Sequence, residues 1–402
     1  MIPVAEALER LLGGVEPLES ETVELHSAGN RVLSAPVLAG RTHPPFDASA
    51  MDGYAVRAVD VDRVPARLTV IGESAAGRRF AGSLGDGEAV RIFTGAPVPQ
   101  GADTILIQEN AEREGDVVTA VETVAAGRHI RKAGLDFHAG DVLLEAGRRI
   151  DPQALALIAA ADADRVRVVR RPRVAIIATG DELVQPGASR TDDQIIASNS
   201  FGVAQIVRDS GGEAIDLGIV GDDLESIGSA LDRAVAQTSD VIVTLGGASV
   251  GDHDLTAKAF AAKGVDLAFW KIAMRPGKPL MAGRLGRASV LGLPGNPVSA
   301  MVCADLFLRP LLAALQGLPT DQHLPKAVLD GVLAENDRRQ DYVRAIARLD
   351  EEGDLIVSPL AMQDSSMLRI LARANCLIVR APYAPAQRSG DPCRIMMLRP
   401  IV

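Results

Sequence analysis

The chain has 402 residues, 47% of them hydrophobic and 23% charged, an ordinary balance for a globular protein. A chain of that length exceeds one ordinary core and predicts roughly two to four domains. The formal net charge of −10 and an aromatic content of 3% argue against a nucleic-acid surface, a base-stacking platform or an anionic membrane as partner.

The first ten residues read as the start of an amphipathic helix with early acids rather than as a signal peptide. Pro3–Leu12 is predicted as that helix, closed by Gly13-Gly14, with Val4, Leu8, Leu11 and Leu12 on one face. Ala28–Leu33 reads as a turn entering an extended segment. Pro44–Val56, rich in proline and turn formers, reads as a loop too particular to be a plain linker. A β-rich stretch follows, with short strands at Leu68–Ile71, Ala89–Thr94, Thr104–Gln108 and Val117–Val121 between Gly, Pro and Asp turns. Ile130–Asp141 is a charged turn region. Asp151 is a candidate N-cap, with Pro152 at the first helical position, for a helix over Asp151–Asp162. The longest apolar run is taken to be Leu155–Ala161, far too short to span a membrane. Cys303, Cys376 and Cys393 form no C-x-x-C, which argues against a structural zinc or a disulfide framework. A cytoplasmic location follows as the default expectation.

Arg170-Arg-Pro172 marks the boundary of the organising segment, Arg171–Val302. Arg173–Ala178, Asp240–Leu245 and Ala288–Leu293 read as buried parallel strands. Each ends in a loop: Thr179-Gly-Asp-Glu182, Gly246–Asp254 and Pro294-Gly-Asn-Pro-Val-Ser299. Ser198-Asn-Ser200 is read as a cap for a helix that Gly211-Gly212 ends, Glu213–Val220 as a strand, and Gly221-Asp222-Asp223 as the opening of the next helix. Beyond Gly317-Leu-Pro319, alternating runs at Val328–Leu333, Tyr342–Leu349, Leu355–Val357 and Leu377–Val379 predict a small β-barrel or sandwich of about eighty residues.

Ligands of open α/β sheets sit at the carboxyl ends of the strands, so the loops after Ala178, Leu245 and Leu293 describe one crevice. Its acids are Asp181, Glu182, Asp222, Asp252 and Asp254. Helix capping is the better account of Asp222 by itself. The others share their loops with glycine amides and the hydroxyls of Thr179 and Ser249, a combination suited to phosphate. A carboxylate beside a phosphate repels it by roughly 4 kcal/mol at about 4 Å and an effective dielectric near 20, so the pattern calls for a bridging cation. Oxygen ligands with one histidine, His253, favour Mg²⁺ over zinc. In Trp270–Pro279, Lys271, Arg275 and Lys278 gather on a proline-stiffened turn and form a candidate anion site. Pro294–Ser299 opens a helix and offers a second anion seat. G-x-x-x-x-G-K-[ST], a strand-bound G-x-G-x-x-G and G-x-S-x-G are all missing, which argues against P-loop, Rossmann and serine-hydrolase readings.

Seven segments in order resemble the molybdopterin molybdenumtransferase (MoeA) family, related to the plant molybdenum insertase and to the C-terminal domain of gephyrin. They are Phe46–Ala55, Phe93–Pro99, Thr179–Glu182, Ser198–Ser200, Gly246–Gly251, Arg275–Pro279 and Leu293–Ser299. The resemblance implies a multidomain α/β and β protein. Residues 1–40 with 135–170 would be a linker and dimerisation domain, and 41–134 a β-rich domain. Residues 171–318 would be a three-layer α/β molybdopterin-binding domain with a mostly parallel sheet, and 319–402 a C-terminal β-barrel. It further implies a homodimer that takes molybdopterin-adenylate and molybdate, inserts the metal at the pterin dithiolene and releases AMP in a Mg²⁺-dependent step. The adenylyltransferase and molybdoenzyme chaperones are candidate partners.

Carried over to matching positions, Ser249, Asp254 and Glu182 would serve adenylate cleavage, with Glu182, Asp222 and Asp254 as metal ligands. Thr179, Gly180, Asp181, Asp222, Gly246, Gly247, Lys271, Pro294, Gly295 and Asn296 would bind the pterin and phosphates. Arg275, Lys278, Pro279, Ser299, Arg344 and Ser365 would seat molybdate, with Ser366 as the alternative to Ser365. Asp52 and Thr94 as catalytic residues, with Arg131 and Asp136, would reach the crevice from the partner protomer. Arg275 stands where the family usually has Lys, which keeps the charge but alters reach. An adenylyltransferase, a gephyrin-like scaffold and a paralogue with drifted specificity, for example for tungstate, are the rival readings.

Overall fold

The computed structural model describes residues 1–247, 255–321 and 323–401, in two compact units. The first comprises Met1–Glu21, Asn30–Val32 and Val169–Val402, and the second Thr22–Gly29 and Leu33–Val168.

The first unit is built on a six-stranded sheet in the order Glu213–Val220, Arg173–Thr179, Val241–Leu245, Ala288–Leu293, Met281–Leu285, Asp266–Trp270. The first four strands are parallel, Met281–Leu285 runs antiparallel to them, and Asp266–Trp270 runs antiparallel to Met281–Leu285. Its central strands read as unbroken apolar runs because both faces are covered, and the two-residue period divides them between two cores. Val174, Ile176, Val241, Val243, Leu291 and Leu293 face the helices Asn199–Asp209 and Pro297–Cys303 and the N-terminal helix Val4–Leu12. Ala175, Ile177, Ile242 and Val290 face Leu224–Ala236 and Leu255–Ala262, whose Ile227, Leu231 and Phe260 fill the opposite layer. Asp240 anchors the sheet's lower edge. It accepts from both terminal nitrogens of Arg170 at 2.7 Å and from the Arg173 amide at 2.8 Å.

The same unit carries a closed barrel of Gln340–Leu349, Leu355–Pro359, Lys326–Leu329, Pro392–Met397 and Cys376–Arg380, the last pairing back onto the first. Met274–Arg275 runs parallel to Gln340–Asp341 and ties the sheet's connecting loop to the barrel.

In the second unit, a six-stranded sheet runs in the order Thr104–Ile107, Gly53–Val56, Glu88–Ile92, Ala66–Ser74, Val117–Ala120, Ala111–Glu114. Tyr54, Leu68 and Leu106 form one of its cores, and Ala55, Ile92 and Ile105 the other. A further core gathers Leu33, Val37, Leu144, Ile150, Ile158 and Val168.

Several sequence expectations need correction. Pro44–Val56 is not all loop: Gly53–Val56 is a buried strand between two antiparallel partners, too short to display an alternating pattern. Asp223 rather than Asp222 caps Leu224–Ala236, accepting from the Ser226 amide at 2.8 Å. Ser198 makes no side-chain cap bond among the described residues. The barrel includes a further strand, Pro392–Met397, outside the alternating runs of the sequence. Among the described residues the longest apolar helical run is Pro297–Leu315, 19 residues and 72% buried, broken by a π turn over Ala304–Leu308 and packed into the core. In contrast, Asp151 caps its helix through the Ala154 amide at 2.6 Å, with Pro152 at the first helical position, and Val4–Leu12 ends at Gly13.

Candidate functional site

Thr179, Leu245 and Leu293 end adjacent parallel strands, and short turns follow Thr179 and Leu293. The loops are held against one another by main-chain bonds: the Gly180 amide donates to Val220 O at 3.2 Å and the Gly246 amide to Leu293 O at 3.2 Å. Gly246 adopts φ +104°, and a Cβ there would lie 2.5 Å from the Thr179 carbonyl oxygen. Only glycine allows these two strand ends to come so close. Above them opens a cavity of about 930 Å³.

Its walls unite most of the residues singled out in the sequence. Thr179, Glu182, Asp222, Gly246 and Gly247 line it from the strand ends, and Pro294, Gly295, Asn296 and Ser299 from the loop and helix after Leu293. Arg275, Lys278 and Pro279 come from the basic turn, and Ser365 from the barrel. Gly180 and Asp181 stand just outside, with Asp181 Oδ1 accepting from the Asp222 amide at 3.1 Å. Ser249 and Asp254, with Asp252 and His253, lie outside the described residues.

The cavity has an acidic side and a basic side. On the acidic side, the Asp222 carboxyl is pushed above its ordinary range, first by loss of surrounding water and then by the charges of Glu182 and Asp181. Among the described residues no three His, Cys, Asp or Glu side chains stand together in metal-holding geometry. On the basic side, Arg275 is fixed by Asp341, which raises its pKa, and lies 3.7 Å from Asp337. Arg339 pairs with Asp337 at 2.6 Å and holds that carboxyl down at about 2. Lys278 is half-buried and has no carboxylate partner among the described residues.

Two predicted positions fall elsewhere. Lys271 is not among the lining residues: its backbone has φ +69° and its ammonium stacks 4.1 Å from the centre of the adjacent Trp270 ring. Arg344 lies behind the wall, 1% exposed. It donates to the Asp364 carbonyl at 3.2 Å, while its Nε has no hydrogen-bond partner among the described residues. Burial lowers its pKa, against the opposing pull of Asp341 and Asp364. A buried guanidinium with an unused donor suits an anion.

The second unit holds the remaining predicted residues. Asp52 Oδ1 accepts from the Thr94 amide at 2.7 Å and its hydroxyl at 2.9 Å, and these bonds lower its pKa. Arg131 pairs with Ala48 in a short ladder, and the Asp136 amide donates to His43 O at 3.1 Å.

Sequence reasoning missed Asn199, whose Nδ2 donates to Gly295 O at 2.7 Å, and Gln363 and Asp364, which also line the cavity. The Ser198-Asn-Ser200 segment reads as a cap and as one of the segments of the family resemblance, with no role in the crevice attached to Asn199. Nothing in the periodicity of Gln363-Asp-Ser-Ser366 marks it as cavity wall.

Comparison with known proteins agrees with this architecture. Residues 2–161 match the MoeA N-terminal region (domain I and II), 175–314 a probable molybdopterin binding domain, and 326–398 the MoeA C-terminal region (domain IV). The chain is 36% identical over 383 residues to the molybdopterin molybdenumtransferase of Haemophilus influenzae, covering 94% of each protein. It is 39% identical over 368 residues to molybdopterin molybdenumtransferase 2 of Mycobacterium tuberculosis, covering 89% of this chain and 90% of the relative. The crystal structure of the molybdopterin biosynthesis MoeA protein of Pyrococcus horikoshii superposes with a TM-score of 0.83 at 29% identity, over the full length of both chains. Sheet, barrel, cavity and sequence relatives converge, and the chain belongs to the molybdopterin molybdenumtransferase (MoeA) family.

Proposed function

We propose that this chain transfers molybdenum to molybdopterin, taking molybdate and molybdopterin-adenylate as substrates and releasing AMP. One observation carries the reading: Glu182 and Asp222 share a cavity with Arg275, Lys278, Ser299 and Ser365. Cationic and hydroxyl donors at one end suit a metal oxyanion. Acids beside backbone amides at the other suit a phosphate bridged by a divalent ion. Molybdate needs no cysteine ligand from the protein, because the sulfurs belong to the pterin.

The donor set fits Mg²⁺. It binds through one or two carboxylates plus substrate phosphates, and Asp222 stands close enough to Glu182 and Asp181 that their charges add to burial in raising its pKa. Glu182 and Asp222 would hold the ion, with Asp254. Bound there, it would offset negative charge on the phosphate that departs. The protein's own part is positioning: Lys278 and Ser299 orient the oxyanion, Thr179, Gly246 and Gly247 fix the phosphate side, and Asn296 holds Ser365 in place.

In this reading the protein works as a homodimer, with the partner's Asp52 and the partner's Thr94 reaching the cavity. Free, buried thiols at Cys303, Cys376 and Cys393 fit a reducing, cytoplasmic setting. The deciding experiment measures AMP release from purified molybdopterin-adenylate with and without molybdate and Mg²⁺. Release that needs neither would sink the proposal.

A further inference from the structure

Gln363 sits in an exposed turn, yet both ends of its amide are committed to the main chain. Its Oε1 accepts from the Arg344 amide at 2.9 Å, and its Nε2 donates to Arg344 O at 3.0 Å and to Leu360 O at 2.6 Å. The strands Gln340–Leu349 and Leu355–Pro359 pair as far as Ala345 and Pro359. Beyond that rung, the Leu360 amide donates to Arg344 O at 2.9 Å, and the Gln363 side chain takes the place of a further strand residue. The ladder is thus continued by a side chain, and the turn 360–366 is folded back onto Arg344.

Two groups depend on that fold. The Arg344 guanidinium reaches the Asp364 carbonyl at 3.2 Å. Ser365 is delivered to the opposite wall, where its hydroxyl accepts from Asn296 Nδ2 at 3.0 Å and its carbonyl from the Val298 amide at 3.0 Å. The one carboxylate in the turn, Asp364, is occupied by the Ser366 amide at 2.8 Å and hydroxyl at 2.6 Å.

We propose that Gln363 is a positioning residue for the oxyanion: through its clasp on Arg344 it sets where Ser365 and the buried guanidinium stand, and so tunes affinity for molybdate without touching the phosphate end. This rests on the reading of the basic end of the cavity as the molybdate seat.

The test is Gln363→Met, similar in length and uncharged but unable to make any of the three bonds, assayed by AMP release. The expected result is a molybdate KM raised about tenfold, with kcat at saturating molybdate and the KM for molybdopterin-adenylate within about twofold of the parent. Gln363→Glu, which keeps only the acceptor, serves if the first variant folds poorly, and should raise the molybdate KM at least as much. Ser365→Ala is assayed beside them. If it raises the molybdate KM while the folded Gln363 variants leave it unchanged, the role of Gln363 is overturned and the seat stands. Should kcat and both KM values worsen together, Gln363 is a structural staple and the inference is likewise lost. If Ser365→Ala also leaves the molybdate KM unchanged, the seat itself is wrong.

Discussion

Asn296 donates from Nδ2 to the Ser365 hydroxyl at 3.0 Å, joining the loop after the last parallel strand to a turn of the barrel. The neighbouring Ser366 also lines the cavity, but its hydroxyl is engaged, donating to Asp364 at 2.6 Å. The two serines, interchangeable by sequence, are therefore unequal. Ser365→Ala is expected to raise the molybdate KM about tenfold, as loss of one hydrogen bond to a charged group does, and Ser366→Ala to leave it within about twofold. Equal effects in a steady-state AMP-release assay would contradict the assignment.

Arg275 and Lys278 face the same cavity but are not equally available. Arg275 is tied to Asp341, whereas Lys278 has no such partner among the described residues. Lys278→Ala should raise the molybdate KM roughly 10- to 100-fold. Arg275→Lys keeps the charge while giving up the guanidinium's fork, so a smaller change, of no more than about threefold, is expected. Molybdate titration of both variants checks the order.

Gly246→Ala places a methyl group 2.5 Å from Thr179 O at φ +104°. Backbone strain and overpacking together should destabilise the first unit by on the order of 3 kcal/mol, with loss of AMP release. A urea midpoint matching that of the parent would refute the close approach of the strand ends.

Burial pushes the thiol of Cys376 up to about 12 and that of Cys393 up to about 11, and Cys303 higher still. At pH 8 the native protein should therefore resist an aromatic disulfide reagent, and all three thiols should react once it is unfolded. Rapid labelling of the native protein would show that one of them is reachable.

If sites are completed across a homodimer, Asp52→Ala and Lys278→Ala chains, each impaired alone at limiting molybdate, should regain about a quarter of parental activity there when unfolded together and refolded as a mixture. No recovery, with mixed dimers demonstrated by mass, would confine the site to one chain.

What could be read from sequence follows from how strongly burial constrains each stretch. Val174–Ala178 and Val241–Leu245 are enclosed on both faces, so composition alone marks them as strands. Pro392–Met397 alternates around an arginine and begins with proline, and only its two barrel partners make it a strand. Asp222 and Asp223 are equivalent as letters, and the backbone direction at the helix start decides which one caps. Lys271, Arg275 and Lys278 share a turn, but a positive φ turns Lys271 onto Trp270. Gln363 is invisible because its partners are main-chain atoms that no sequence pattern advertises.

The parallel pairing of Met274–Arg275 with Gln340–Asp341 bears on how the gene can be cut. A product stopped near residue 318 would lose more than a terminal module: the backbone of Met274 and Arg275 would be left as an open edge, and the Arg275 guanidinium would lose its carboxylate neighbours. Such a fragment would present an unpaired strand template to its own copies, so shortening the protein there should yield a self-associating species rather than a clean smaller enzyme.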